Sequence, residues 1–101
     1  PLMANVGFEV IPVIEVQDVI NGNRQANVDF PIRSANGKGY TVYLSETGAD
    51  GAYVEYSNVN YNDKGAHIRG LENGRTYYAY IEYSDGNGIE RSLPVILSPG
   101  K

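Results

Sequence analysis

Asn-Gly pairs recur along this chain, at Asn21-Gly22, Asn36-Gly37, Asn73-Gly74 and Asn87-Gly88, and between them the apolar residues alternate with period two. Asparagine and glycine enter the left-handed backbone region at lower cost than other residues, so each pair marks a tight turn. Alternation puts one set of side chains on one face of an extended strand and the intervening set on the other. No stretch carries the i, i+3, i+4 apolar stripe of an amphipathic helix. A chain punctuated in this way folds as strands joined by short turns, and it reads as all-β.

The strands can be placed from the alternation. Ile11 to Ile20 is rich in Val and Ile, and its Pro12 suits an edge strand, where a missing N–H is tolerated. After a turn at Asn21-Gly22-Asn23, Arg24 to Phe30 sets Ala26, Val28 and Phe30 against Asn27 and Asp29 on the other face. Pro31 to Gly39 reads as a loop, and Tyr40 to Ser45 groups Tyr40, Val42 and Leu44 opposite Thr41, Tyr43 and Ser45. Glu46 to Gly51 turns the chain into Ala52 to Val59; Asn60 to Lys64 is polar, and Ala66 to Arg69 is a short strand. Thr76 to Ser84 separates Tyr77, Ala79, Ile81 and Tyr83 from Tyr78, Tyr80 and Glu82. Asp85-Gly86-Asn87-Gly88 then leads into a last strand, Ile89 to Leu97. About seven strands at this spacing predict a β-sandwich.

Composition narrows the function classes. With 101 residues, 42% of them hydrophobic, the chain suffices for one compact domain. The absence of cysteine excludes disulfides, thiolate nucleophiles and cysteine metal sites, and the single histidine, His67, excludes a multi-histidine centre. A net charge of −4 argues against a nucleic-acid partner, which requires a basic footprint. No apolar run approaches the roughly 20 residues that span a bilayer, and the opening lacks the charged and apolar regions of a signal peptide. Met3-Ala4-Asn5 reads either as a native start preceded by a tag remnant, Pro1-Leu2, or as the interior of a longer chain.

The stretch Gly70-Leu71-Glu72-Asn73-Gly74-Arg75-Thr76-Tyr77 resembles the turn before strand F of a fibronectin type III domain, where a Leu precedes a Tyr by six residues across a glycine-containing turn. Tyr40 to Leu44 with the following Ser45-Glu46-Thr47-Gly48 is similar to strand C and its turn, and Tyr77-x-Ala79-x-Ile81 to the inward face of strand F. The resemblance covers residues 10–98 and departs where the family carries a core Trp and this chain offers Phe30. It implies a seven-stranded antiparallel Greek-key β-sandwich, with Leu71 and Tyr77 forming a tyrosine corner: the ring plugs the sandwich and its hydroxyl bonds back to the turn. Residues 1–9 then form an N-terminal extension or tag remnant with a leading strand, and 99–101 a C-terminal tail or linker. Integrin binding does not carry over, because the F–G turn has Asp85-Gly86-Asn87-Gly88 and no Arg-Gly-Asp occurs.

Tyrosine is the compositional outlier, with nine residues against two Phe and no Trp. Tyr43, Tyr78 and Tyr80 fall on the solvent face of one sheet, and neighbouring strands lie about 4.8 Å apart, so their rings can form a contiguous platform. Tyr53 or Tyr56 on the next strand can extend it. Such a surface suits a sugar ring or a protein partner, although high β-propensity alone also accounts for tyrosine in strands. The run Asn58-x-Asn60-x-Asn62-Asp63 is rich in oxygen but lacks the calcium loop with its terminal Glu, and reads as turn chemistry. His67 faces away from Ala66 and Ile68 without a second ligand or a nucleophile nearby. Ser45 and Ser84 lack a nucleophile elbow. No catalytic residue, metal ligand or cofactor is expected.

The resemblance thus implies a non-catalytic spacer or ancillary binding or adhesion module of a secreted or cell-surface protein, such as a polysaccharide-active enzyme. The partner would be a protein or polysaccharide meeting the tyrosine-bearing sheet, with no nucleic acid and no membrane insertion. The alternative is a stand-alone structural subunit of a phage virion, a tail or capsid accessory protein. That alternative would self-associate through an N-terminal segment, Val6 to Val16, in which Phe8, Val10 and Ile11 are apolar.

Overall fold

A computed structural model of the chain describes residues 12–84, 86 and 88–100. The N-terminal extension, the start at Met3, the apolar Phe8, Val10 and Ile11, and the turn residues Asp85 and Asn87 lie outside the described residues. Ten strand segments form: β1 (Pro12–Ile14), β2 (Asp18–Gly22), β3 (Gln25–Asp29), β4 (Tyr40–Ser45), β5 (Val54–Tyr56), β6 (Val59–Asn62), β7 (Gly65–Arg69), β8 (Tyr77–Ser84), β9 (Ile89–Ser92) and β10 (Val95–Leu97). They make two sheets. Sheet one has the order β1-β9-β8-β4-β5, with β10 also paired to β8; sheet two has the order β2-β3-β7-β6. Pairing is antiparallel throughout both sheets save for β1 against β9, which is parallel.

The alternation decides which face of each sheet turns inward. Val42, Leu44, Ala79, Ile81 and Leu97 of sheet one and Ala26, Val28, Ala66 and Ile68 of sheet two are buried in one core, joined by Ile14 and Leu71. Each fully buried aliphatic side chain contributes roughly 1.5–3 kcal/mol relative to exposure, so this shared layer is what holds the sheets together. Phe30, just past β3, is 1% exposed, and its ring lies 5.3 Å from that of Tyr40. It thereby supplies aromatic bulk where the resemblance leads one to expect Trp.

Several segments differ from the sequence reading. The stretch read as one strand from Ile11 to Ile20 changes sheets: β1 lies at the edge of sheet one and β2 at the edge of sheet two. At the crossing the Gln17 N–H donates to the Asp29 carbonyl. The first hairpin turns at Asn23-Arg24, with Arg24 at φ 61°, while Asn21 and Gly22 remain in β2. Asn21 instead uses its side-chain oxygen to accept the Ser98 N–H at 2.8 Å, which ties the C-terminal segment to sheet two.

The stretch Ala52 to Val59 likewise divides, with β5 in sheet one and β6 in sheet two. Asn60 to Lys64, read as a polar loop, contains most of β6 and its hairpin. Asn60 and Asn62 are exposed while Val59 and Tyr61 are half-buried against the core, so the polarity there marked the outer face of an edge strand. Within the loop 31–39, Ala35–Gly37 forms a short 3-10 turn. Finally, the stretch Ile89 to Leu97 is broken between β9 and β10. The ten segments among the described residues exceed the seven strands expected because three stretches, each read as one strand, are each divided in two.

Candidate functional site

The outer face of sheet one takes its shape from cross-strand register. β4 and β8 pair with Tyr43 directly opposite Tyr80, and both side chains point away from the core because Val42, Leu44, Ala79 and Ile81 point into it. The two rings stack, with centroids 4.9 Å apart and planes 16° from parallel. Tyr53, just before β5, also meets Tyr80, at 5.0 Å and 55°. Three aromatic rings therefore form a continuous row across three neighbouring chain segments, with Tyr80 at its centre.

Tyr78 and Tyr56 stand elsewhere. Tyr78 shares the outer face but lies opposite Ser45, beneath the turn after β4, where a Cβ on Gly48 would come within 3.1 Å of its ring. That turn is fastened by the Ser45 hydroxyl, which accepts the N–H groups of Thr47 at 3.1 Å and Gly48 at 2.9 Å. Tyr56 does not extend the row. It pairs with Val42 and so faces inward, packs on the core, and donates its hydroxyl to the Arg69 carbonyl of sheet two. Period-two reasoning could have excluded Tyr56 once Tyr53 was chosen, had the strand register been known.

A cleft opens beside Tyr80 because the adjoining strand is bulged. β9 pairs with Glu82–Ser84 and β10 with Tyr77–Ala79, and the register advances by one residue between them. The interruption is chemically enforced: Pro94 has no N–H to offer a ladder, and the Ile81 N–H is taken at 2.9 Å by the hydroxyl of buried Ser92. Ser92 in turn donates to the Leu93 carbonyl at 3.0 Å. The extra residue pushes Leu93 outward, where it is 66% exposed. Between this bulge and the Asp50-Gly51 turn lies a cleft of about 470 Å³, lined also by Tyr53, Tyr80 and Arg91.

Charge at the cleft is nearly balanced. Arg91 extends over Tyr80, its guanidinium carbon 4.9 Å from the ring centre, and binds Glu82 at 2.9 Å. Burial pushes the Tyr43 phenol upward, with the Glu82 carboxylate adding to the effect, and burial likewise raises Tyr53. Both hydroxyls therefore stay protonated at neutral pH as hydrogen-bond donors. Arg91, Leu93 and Pro94 were not singled out by the sequence. Their only signal was the Leu-Pro step inside an otherwise alternating strand.

The remaining residues of interest hold the fold together. Leu71 is 1% exposed, and the buried Tyr77 accepts the Glu72 N–H through its hydroxyl at 2.9 Å. Tyr40 makes a similar bond, accepting the Arg33 N–H at 3.1 Å while its ring packs on Phe30 and Tyr83. His67 sits half-buried on the outer side of sheet two, bonded through Nε2 to Gln25. In the Asn58 to Asp63 run, the Asn62 oxygen accepts the N–H groups of Lys64 and Gly65 to close the hairpin.

Compared with protein-family models and with curated proteins, the chain matches none.

Proposed function

We propose that this chain is a fibronectin type III-like Greek-key sandwich, with β6 added to the family's strand set. It serves as a non-catalytic spacer or ancillary binding module of a secreted or surface protein. The observation that carries the functional part is the Tyr43–Tyr80–Tyr53 row on the outer face of sheet one. Rigid aromatic rings with hydroxyl tips give contact area at low entropic cost, which is the chemistry of a recognition surface. The fold part draws on the Leu71–Tyr77 arrangement and its bond to the turn.

Sequencing the coding DNA on both sides of this segment tests the reading. A frame open through both ends, with neighbouring domains, is the expected result. A start codon at Met3 and a stop after Lys101 would overturn the module and favour the virion subunit.

A further inference from the structure

We propose that the bulge cleft beside Tyr80 is a subsite for one ring of a neutral saccharide. This inference rests on reading the outer face of sheet one as a binding surface, and it names the ligand class and the residues. The volume of about 470 Å³ falls within the range of small-molecule sites, roughly 300–1,000 Å³. Its walls are of two kinds. Tyr80 and Tyr53 form an aromatic corner, their rings tilted by 55°, and Leu93 with Pro94 completes the apolar lining. Asp50 and Arg91 supply a carboxylate and a guanidinium within the same cleft.

A pyranose ring matches both kinds. Its axial C–H groups carry slight positive charge and stack on the negative face of an aromatic ring, while its hydroxyls radiate outward to meet acceptors and donors. The charge pattern selects among ligands. Arg91 already has Glu82 as counter-ion at 2.9 Å, so an anionic ligand finds no free cation and meets Asp50 as a like charge. A cationic peptide side chain would have to displace the Arg91 guanidinium from its place 4.9 Å over the Tyr80 ring. A neutral ring stacked on Tyr53 and packed on Leu93 and Pro94 needs neither exchange, because it leaves Arg91 in place over Tyr80.

The test uses the whole chain labelled with nitrogen-15, titrated with neutral β-linked hexasaccharides of glucose, mannose, xylose and galactose, and with an anionic oligogalacturonate. At least one neutral sugar should give saturable amide shifts concentrated at residues 50–53, 80 and 91–93. Tyr80→Ala removes the ring against which Tyr53 and Arg91 are set and should weaken its binding about tenfold. Tyr53→Ala lies outside regular strand pairing and should give a similar loss with the spectrum otherwise intact, which guards against a folding artefact at Tyr80. Tyr78→Ala should change affinity less than twofold. No shift with any neutral sugar up to about 10 mM, or tighter binding of the oligogalacturonate, would overturn the proposal. Either result would leave the module itself to be decided by the coding frame. Saturable shifts confined to sheet two would overturn the subsite and the outer-face assignment together.

Discussion

Arg91 covers the Tyr80 ring with its guanidinium carbon 4.9 Å from the ring centre, and the same group is held from the side by Glu82 at 2.9 Å. The two contacts share one cause. β9 pairs Arg91 with Glu82 on the strand that carries Tyr80, so a long side chain on the outer face reaches both a carboxylate beside it and a ring two residues along. Tyr80 is thereby stacked on one side by Tyr43 and capped by a cation, which fixes its orientation at the edge of the cleft.

This pair should be measurable. Glu82 is largely shielded, at 16% side-chain exposure, while Arg91 is 36% exposed. A double-mutant cycle of Arg91→Gln with Glu82→Gln should give a coupling of about 1 kcal/mol, at the upper end for partly exposed pairs. Denaturant unfolding of the four proteins checks it. A coupling indistinguishable from zero would contradict the prediction that this pair stabilises the fold.

The Leu71–Tyr77 corner makes a second prediction. Tyr77→Phe keeps the ring and removes the acceptor of the Glu72 N–H, so it should cost about 1 kcal/mol. Leu71→Ala empties a fully buried position and should cost roughly 2–5 kcal/mol. Chemical denaturation reads both. Negligible effects at both positions would remove the tyrosine corner and the family resemblance with it.

Two glycines separate close packing from backbone preference. At Gly65, φ is +143°, and an added Cβ would lie 2.2 Å from the Val28 carbonyl oxygen and 3.1 Å from the Phe30 nitrogen, backbone atoms that have no room to yield. At Gly51, φ is +81° but the space around it is open. Gly65→Ala should therefore cost more than about 3 kcal/mol or prevent folding, and Gly51→Ala only about 1 kcal/mol. Comparable thermal shifts for the two would contradict the β3–β7 register.

Tyr61 gives a pH signature. Burial, helped by the Glu55 carboxylate, pushes its phenol up to about 12. The ordinary value is about 10, so the folded protein holds this proton more tightly than the unfolded chain does. Its contribution to stability is present below pH about 10 and is lost as pH rises toward about 12. Phenolate absorbance should show a late transition that Tyr61→Phe removes, and that variant should lose less stability across the same interval. An unchanged late transition in Tyr61→Phe would assign the shift to another ring.

What could be read from the sequence was what depends on alternation. The inward sets of β3, β4, β7 and β8 follow from period two, and so does the placing of Tyr43 and Tyr80 on one outer face. Interruptions were harder to see. The stretches 12–22 and 54–62 each pass from one sheet to the other within a few residues, and hydrophobic patterning is blind to which sheet a strand joins. Tyr56 was misplaced for the same reason, since its face depends on pairing with Val42. The cleft was hidden because it arises from a one-residue slip at Leu93-Pro94, which shows only when β9 and β10 are laid against β8.

The central claim is that this chain divides its tyrosines between rings that hold the sandwich together and a row that faces outward. Nitration with tetranitromethane, mapped by mass spectrometry over time, tests it in one experiment. Tyr43, Tyr53 and Tyr80 should react early, and the buried Tyr40 and Tyr77 only at the rate of global unfolding. Nitration of Tyr77 as fast as Tyr80 in the folded protein would contradict the division and the account built on it.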